Sequence, residues 1–148
     1  MGPILKKMGF QEQSPLLILN APGEFQVIQS EIKTEVHTSF KTQYSFMIVF
    51  VKSLRECDEL AEKSVSSLDG DGYLWICYPK SSSKRYKSDL NRDKARAVFA
   101  PFSFEGVSII AIDEDWSALR LRHTNYIKKI TGKGALSEKG KELAKKKQ

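Results

Sequence analysis

The stretch YSFMIVFV (44–51) is the most apolar run in the chain and carries enough β-branched character for a central strand. PLLILN (15–20) is a second short continuous apolar run, as expected of a strand buried on both faces. A strand with no polar face needs cover above and below, so the segments between these runs should supply helices. They read that way. APGEFQVIQSEI (21–32) turns through Pro22 and Gly23 into a short helix, and KTEVHTS (33–39) alternates like a polar strand near a sheet edge.

Ser53 with Glu56 forms a capping box, and Leu54, Cys57, Leu60, Ala61, Val65 and Leu68 follow at helical spacing. DGDG (69–72) ends that helix and opens the strand YLWICY (73–78). Asn91 suits the N-cap of a further helix, with Asp93 in its first turn and Ala95, Val98, Phe99 and Phe102 as the inner stripe. GVSIIAI (106–112) and WSALRLR (116–122) complete the pattern as two strands joined by the acidic turn Asp113–Asp115. This order predicts a three-layer α/β fold. Its sheet is mostly parallel, with right-handed crossovers, helices on both faces and a C-terminal antiparallel hairpin.

Charge separates the chain into two parts. Residues 122–148 hold nine Lys/Arg against two Glu, whereas residues 1–121 are close to neutral with fifteen against sixteen. The expected organisation is therefore one α/β domain over 1–122 and a basic, flexible tail over 123–148. The tail would attract nucleic acid only non-specifically, and the neutral domain gives no basis for a specific nucleic-acid face. No run approaches the roughly 18 apolar residues of a membrane span, and the N-terminal segment has no apolar signal core. Two cysteines, Cys57 and Cys77, read as buried small hydrophobes in a reducing cytoplasm. His37 and His123 are far apart, so no metal-ligand spacing exists, and no nucleophile and base form a pair.

LWICYPK (74–80), SDLNRD (88–93) and AIDEDWSALRLR (111–122) resemble an uncharacterised bacterial family of short class I methyltransferase-like (Rossmann-like) domains. The matching positions include Lys80, Asp89, Leu90, Arg92, Asp93, Asp113, Glu114, Trp116, Ser117, Leu119 and Arg120, and Ser88 stands where that family has threonine. The resemblance implies a methyltransferase-like fold shortened by one βα unit, and no established activity. The turn LNAPGEF (19–25) departs from true methyltransferases. It has one glycine, and Pro22 removes a backbone donor, so S-adenosylmethionine is disfavoured as a cofactor. Glu35 reads as a solvated edge charge rather than a ribose ligand.

Ligands of open parallel sheets bind outside the carboxyl ends of the strands. That rule gathers Asn20, Pro22, Gly23, Lys52, Tyr78, Lys80, Asp89, Asp113, Trp116 and Arg120 into a candidate ligand edge. Its lysines suit a small anionic ligand, Trp116 is expected to wall the site, and Asp113 has Arg120 or Lys80 as an ion-pair partner. The sequence thus points to a non-catalytic or vestigial domain that binds a small anion or a protein partner. A transferase with an altered cofactor site is the alternative.

Overall fold

A computed structural model describes residues 1–127. Its elements are α1 (Pro3–Lys7), β1 (Leu16–Leu19), a 3₁₀ turn (Gly23–Phe25) leading into α2 (Gln26–Gln29), β2 (Val36–His37), β3 (Tyr44–Phe50), α3 (Leu54–Ser66), β4 (Leu68–Pro79), α4 (Arg92–Phe99), β5 (Phe104–Ala111) and β6 (Trp116–His123). Six strands form one sheet in the order β2-β1-β3-β4-β6-β5. The pairs β1–β2, β1–β3 and β3–β4 are parallel, while β6 pairs antiparallel with both β4 and β5.

The two-residue period of the central strands divides the core. Leu17, Leu19, Met47, Val49, Leu74, Ile76 and Tyr78 face one cluster, which takes Cys57 and Ala61 from α3 and Ala95 and Phe99 from α4. Leu16, Ile18, Phe46, Ile48, Trp75 and Cys77 face the other, which takes Leu5 and Met8 from the N-terminal segment, Phe25 from the 3₁₀ turn and Ile32. Burial pushes the Cys57 thiol up to about 12 and raises that of Cys77 as well, so both act as packing groups.

Four local expectations change. α1 has no counterpart in the sequence reading, because five residues are too few to show a helical period. Pro3 opens it, and the indole N–H of Trp75 donates to Met8 O at 2.9 Å, tying the segment to the sheet. Leu68 belongs to β4 rather than to the α3 stripe, and DGDG is an irregularity within a longer strand, since Tyr44 pairs with Leu68 and Phe46 with Tyr73. A Cβ on Gly72 would lie 2.8 Å from Ser45 O, so the bulge closes only on glycine. Arg122 locks its outer side, with Nε and Nη2 donating to Asp71 at 2.9 and 2.6 Å. The apolar run GVSIIAI reads Ile109 as core, yet it is 47% exposed, because β5 is an edge strand that α4 covers near Gly106, where the stem of Arg96 lies. Finally, β6 runs through His123, and buried Thr124 donates its N–H to Ser103 O, so ordered chain passes the expected boundary at 122. The remainder of the expected tail, 128–148, lies outside the described residues.

The core and the edge should respond differently to substitution. Phe46→Ala is expected to cost about 3–5 kcal/mol in urea unfolding, whereas Ile109→Thr should stay within about 0.5 kcal/mol.

Candidate functional site

The strand ends that matter are Leu19–Asn20, Phe50–Lys52 and Pro79–Lys80, and the β5–β6 turn lies beside the last of them. Pro79 pairs with Trp116, and Lys80 N–H donates to Asp115 O at 2.8 Å. Asn20 turns the chain sharply out of β1 with φ of 58°, a left-handed conformation that asparagine tolerates. Pro22 and Gly23 then start the 3₁₀ turn that carries Glu24.

Glu24 organises the face of the edge nearest α2. Its Oε2 accepts the Tyr86 hydroxyl at 2.6 Å and the Trp116 indole N–H at 2.9 Å, while Arg85 Nη1 lies 3.7 Å from Oε1. Burial works to raise the Glu24 carboxyl, but the bonds from Tyr86, Trp116 and its own backbone, with the Arg85 charge, outweigh it and lower it to about 2. The hydrogen bond to Glu24 in turn raises the Tyr86 hydroxyl above its ordinary value. Tyr86 arrives on the segment between β4 and α4. Ser83 braces that segment, its Oγ donating to Asp115 Oδ1 at 2.7 Å and accepting the Tyr86 N–H at 3.0 Å. The Tyr86 ring lies 5.0 Å from that of Trp116, which packs edge-on against Phe50 at 5.2 Å, and Lys52 Nζ sits 5.3 Å from the Tyr86 centroid. The chain's own side chains fill this side.

The other face stays open. A cleft of about 440 Å³ lies between the end of β4 and the start of α4, lined by Tyr78, Lys80, Ser81, Asn91, Arg92 and Ser117 among others. Asn91 caps α4, accepting Lys94 N–H at 2.9 Å. The three sequence segments that carry the family resemblance all reach this cleft, through Tyr78 and Lys80, through Arg92, and through Ser117.

The expected edge is therefore split. Tyr78 and Lys80 line the cleft. Lys52 stands on the filled face, and Trp116 is fully buried rather than walling an open site. Asp89 serves α3: Ser53 Oγ accepts Glu56 N–H at 3.1 Å, and Asp89 Oδ1 takes the Leu54 N–H at 2.9 Å. No returning bond from the Glu56 carboxylate forms among the described residues. Asp113 Oδ1 accepts the N–H groups of Asp115 and Trp116 at 2.8 and 2.9 Å, which shapes the turn, and neither Arg120 nor Lys80 forms an ion pair with it among the described residues. Arg120 pairs opposite Trp75 in mid-sheet, away from the carboxyl edge, and its guanidinium lies 3.9 Å from the centroid of the Tyr73 ring. Glu35 is exposed beside the edge strand, as expected, and it also bonds His37 Nε2, whose Nδ1 lies 2.7 Å from the Tyr44 hydroxyl. The sequence reading missed Glu24 and Tyr86 because their pairing spans 62 residues. Arg92 and Ser117 stood within the quoted segments and were legible there.

Among the described residues no cluster of His, Cys, Asp and Glu could hold a metal ion, and no helix is long and apolar enough to cross a membrane. No family model matches the sequence, and no curated protein matches it. Similar solved structures include the following two. A protein of the NADB-Rossmann superfamily from Streptococcus agalactiae aligns over 97% of this chain and 73% of its own, at 11% identity and a TM-score of 0.47. The N-methyltransferase NodS from Bradyrhizobium japonicum WM9 aligns over 72% of each chain, at 10% identity and a TM-score of 0.42.

The Glu24 cluster has a pH signature. A carboxyl held below its ordinary 4.5 contributes stability that is complete above that value and is lost as pH falls toward about 2. Urea unfolding between pH 7 and pH 2.5 should show this loss. Glu24→Gln should flatten that part of the profile and cost about 1–3 kcal/mol at pH 7. Asp89→Ala should cost about 1 kcal/mol in the same urea unfolding measurement, as a lost helix cap.

Proposed function

We propose that this chain is a Rossmann-like domain, of a shortened methyltransferase-like build, that binds a small anionic ligand and carries out no methyl transfer. The observation that carries this reading is the division of the carboxyl edge, with one face filled by Tyr86 and Trp116 around Glu24 and the other open beside Lys80 and Arg92. The strand order, a parallel core followed by an antiparallel β5–β6 pair, supports the fold assignment.

An adenosyl group would need the backbone after β1 to come close, and LNAPGEF offers one glycine and a proline there. The Tyr86 ring packs against Trp116 on that face and narrows the room beside the turn. A transferase further needs a group that holds or moves a proton beside the acceptor. The buried thiols are raised by burial, and among the described residues the His37 chain ends on buried Tyr44, far from the cleft along the sheet. The open face, by contrast, presents lysine and arginine to solvent in a concave setting, which suits phosphate or carboxylate.

Thermal shift and calorimetry with S-adenosylmethionine and a panel of phosphorylated and carboxylated metabolites test this. S-adenosylmethionine should give no shift, and at least one anionic metabolite should bind in a manner lost in Lys80→Ala. Tight binding of S-adenosylmethionine would favour a transferase with an altered cofactor site instead.

A further inference from the structure

We propose that the cleft between β4 and α4 is a phosphate-monoester site, in which the Tyr78 hydroxyl, the Arg92 guanidinium and the first backbone N–H groups of α4 share the terminal oxygens. This rests on the anion-binding reading above and names its site and ligand class.

Tyr78 carries the inference. Its side chain lies on an apolar face of the sheet and is only 4% exposed, yet it lines the cleft, and its hydroxyl has no hydrogen-bond partner among the described residues. The side-chain atoms fully enclosed without a partner among the described residues are Ser64 Oγ, Arg120 Nε and Thr124 Oγ1, so the Tyr78 hydroxyl reaches the cleft and is open there to an acceptor. Burial is the main cause that pushes this phenol up to about 12, so it remains protonated at neutral pH and acts as a donor.

The other donors converge from a second element. α4 spans eight residues, and Asn91 occupies the Lys94 N–H, while those of Arg92 and Asp93 have no acceptor among the described residues. Arg92 and Lys80 supply positive charge. The one carboxylate in the lining, Asp93, has a side chain 75% exposed to solvent, which screens its charge, and it lies 3.5 Å from Arg92 Nε and 3.8 Å from Arg96 Nη1. Donors from β4, from the α4 backbone and from two cations exceed what two carboxylate oxygens can accept. Three terminal oxygens with a charge near −2 match them better. The cleft is also far larger than a phosphate group, and Pro79 and half-exposed Ile109 offer apolar surface at its rim for an organic substituent.

The probe is phenyl phosphate, titrated by calorimetry against the full chain, with benzoate as the carboxylate of the same ring. Phenyl phosphate should bind roughly tenfold or more tightly than benzoate, and Tyr78→Phe and Arg92→Gln should each weaken it about tenfold. Tyr78→Phe should leave the melting temperature of the free protein unchanged, since the hydroxyl bonds no other described group of the protein. Lys52→Ala should leave binding unchanged. If phenyl phosphate binds but Lys52→Ala abolishes it and the cleft variants do not, the anion reading stands and this site is wrong. Equal binding of benzoate overturns the ligand class. A melting temperature lowered by Tyr78→Phe shows that the hydroxyl is bonded in the free protein and overturns the inference. Binding of neither probe, nor of any anion in the wider panel, removes the anion reading itself.

Discussion

One partly buried carboxylate holds one face of this sheet edge together. Glu24 draws together the turn after β1, the segment between β4 and α4, and the first residue of β6, across 62 and 92 positions of sequence. Its two strong donors come from aromatic residues, so satisfying one charge also places two rings against each other over Phe50. Removing either donor would leave a partly buried carboxylate short of partners, which costs more than the bond itself contributes. The contacts thus support one another. Charge, ring packing and the Ser83 brace all hold the β4–α4 segment on the α2 side of the edge.

That placement leaves the opposite side of the edge uncovered. The segment leaves β4 at Lys80, crosses to the Glu24 side through Tyr86, and returns to start α4 at Asn91, with Asp89 capping α3 on the way. Helix α4 is therefore delivered with its N-terminus beside the end of β4, and the space between them is the cleft. The same twelve residues close one face and frame the other. A chain that looked from sequence like one ligand edge becomes two sides with opposite properties.

The fold was largely legible because it rests on local signals. Continuous apolar runs gave the central strands, the Ser53 cap and the apolar stripe gave α3, and Asn91 gave the start of α4. The errors fall where local pattern competes with tertiary contact. DGDG reads as a stop, yet close backbone approach at Gly72 and the Arg122 pair with Asp71 keep it within β4. Ile109 reads as core, yet β5 lies at the sheet edge and leaves it half exposed. Of the candidate ligand residues, Tyr78 and Lys80 line the open cleft. Which face of the sheet each candidate served was not legible, because that depends on where Tyr86 finds its acceptor.

The account turns on whether the Trp116 indole N–H is held by Glu24 in the free protein. Solvent exchange of that indole proton, followed by NMR in the unliganded chain, reads this directly. The account predicts slow exchange at pH 7, much faster exchange in Tyr86→Ala, and no change on adding S-adenosylmethionine. Exchange at the rate of an exposed indole in the parent protein would contradict it, because the face assigned as filled would then be open.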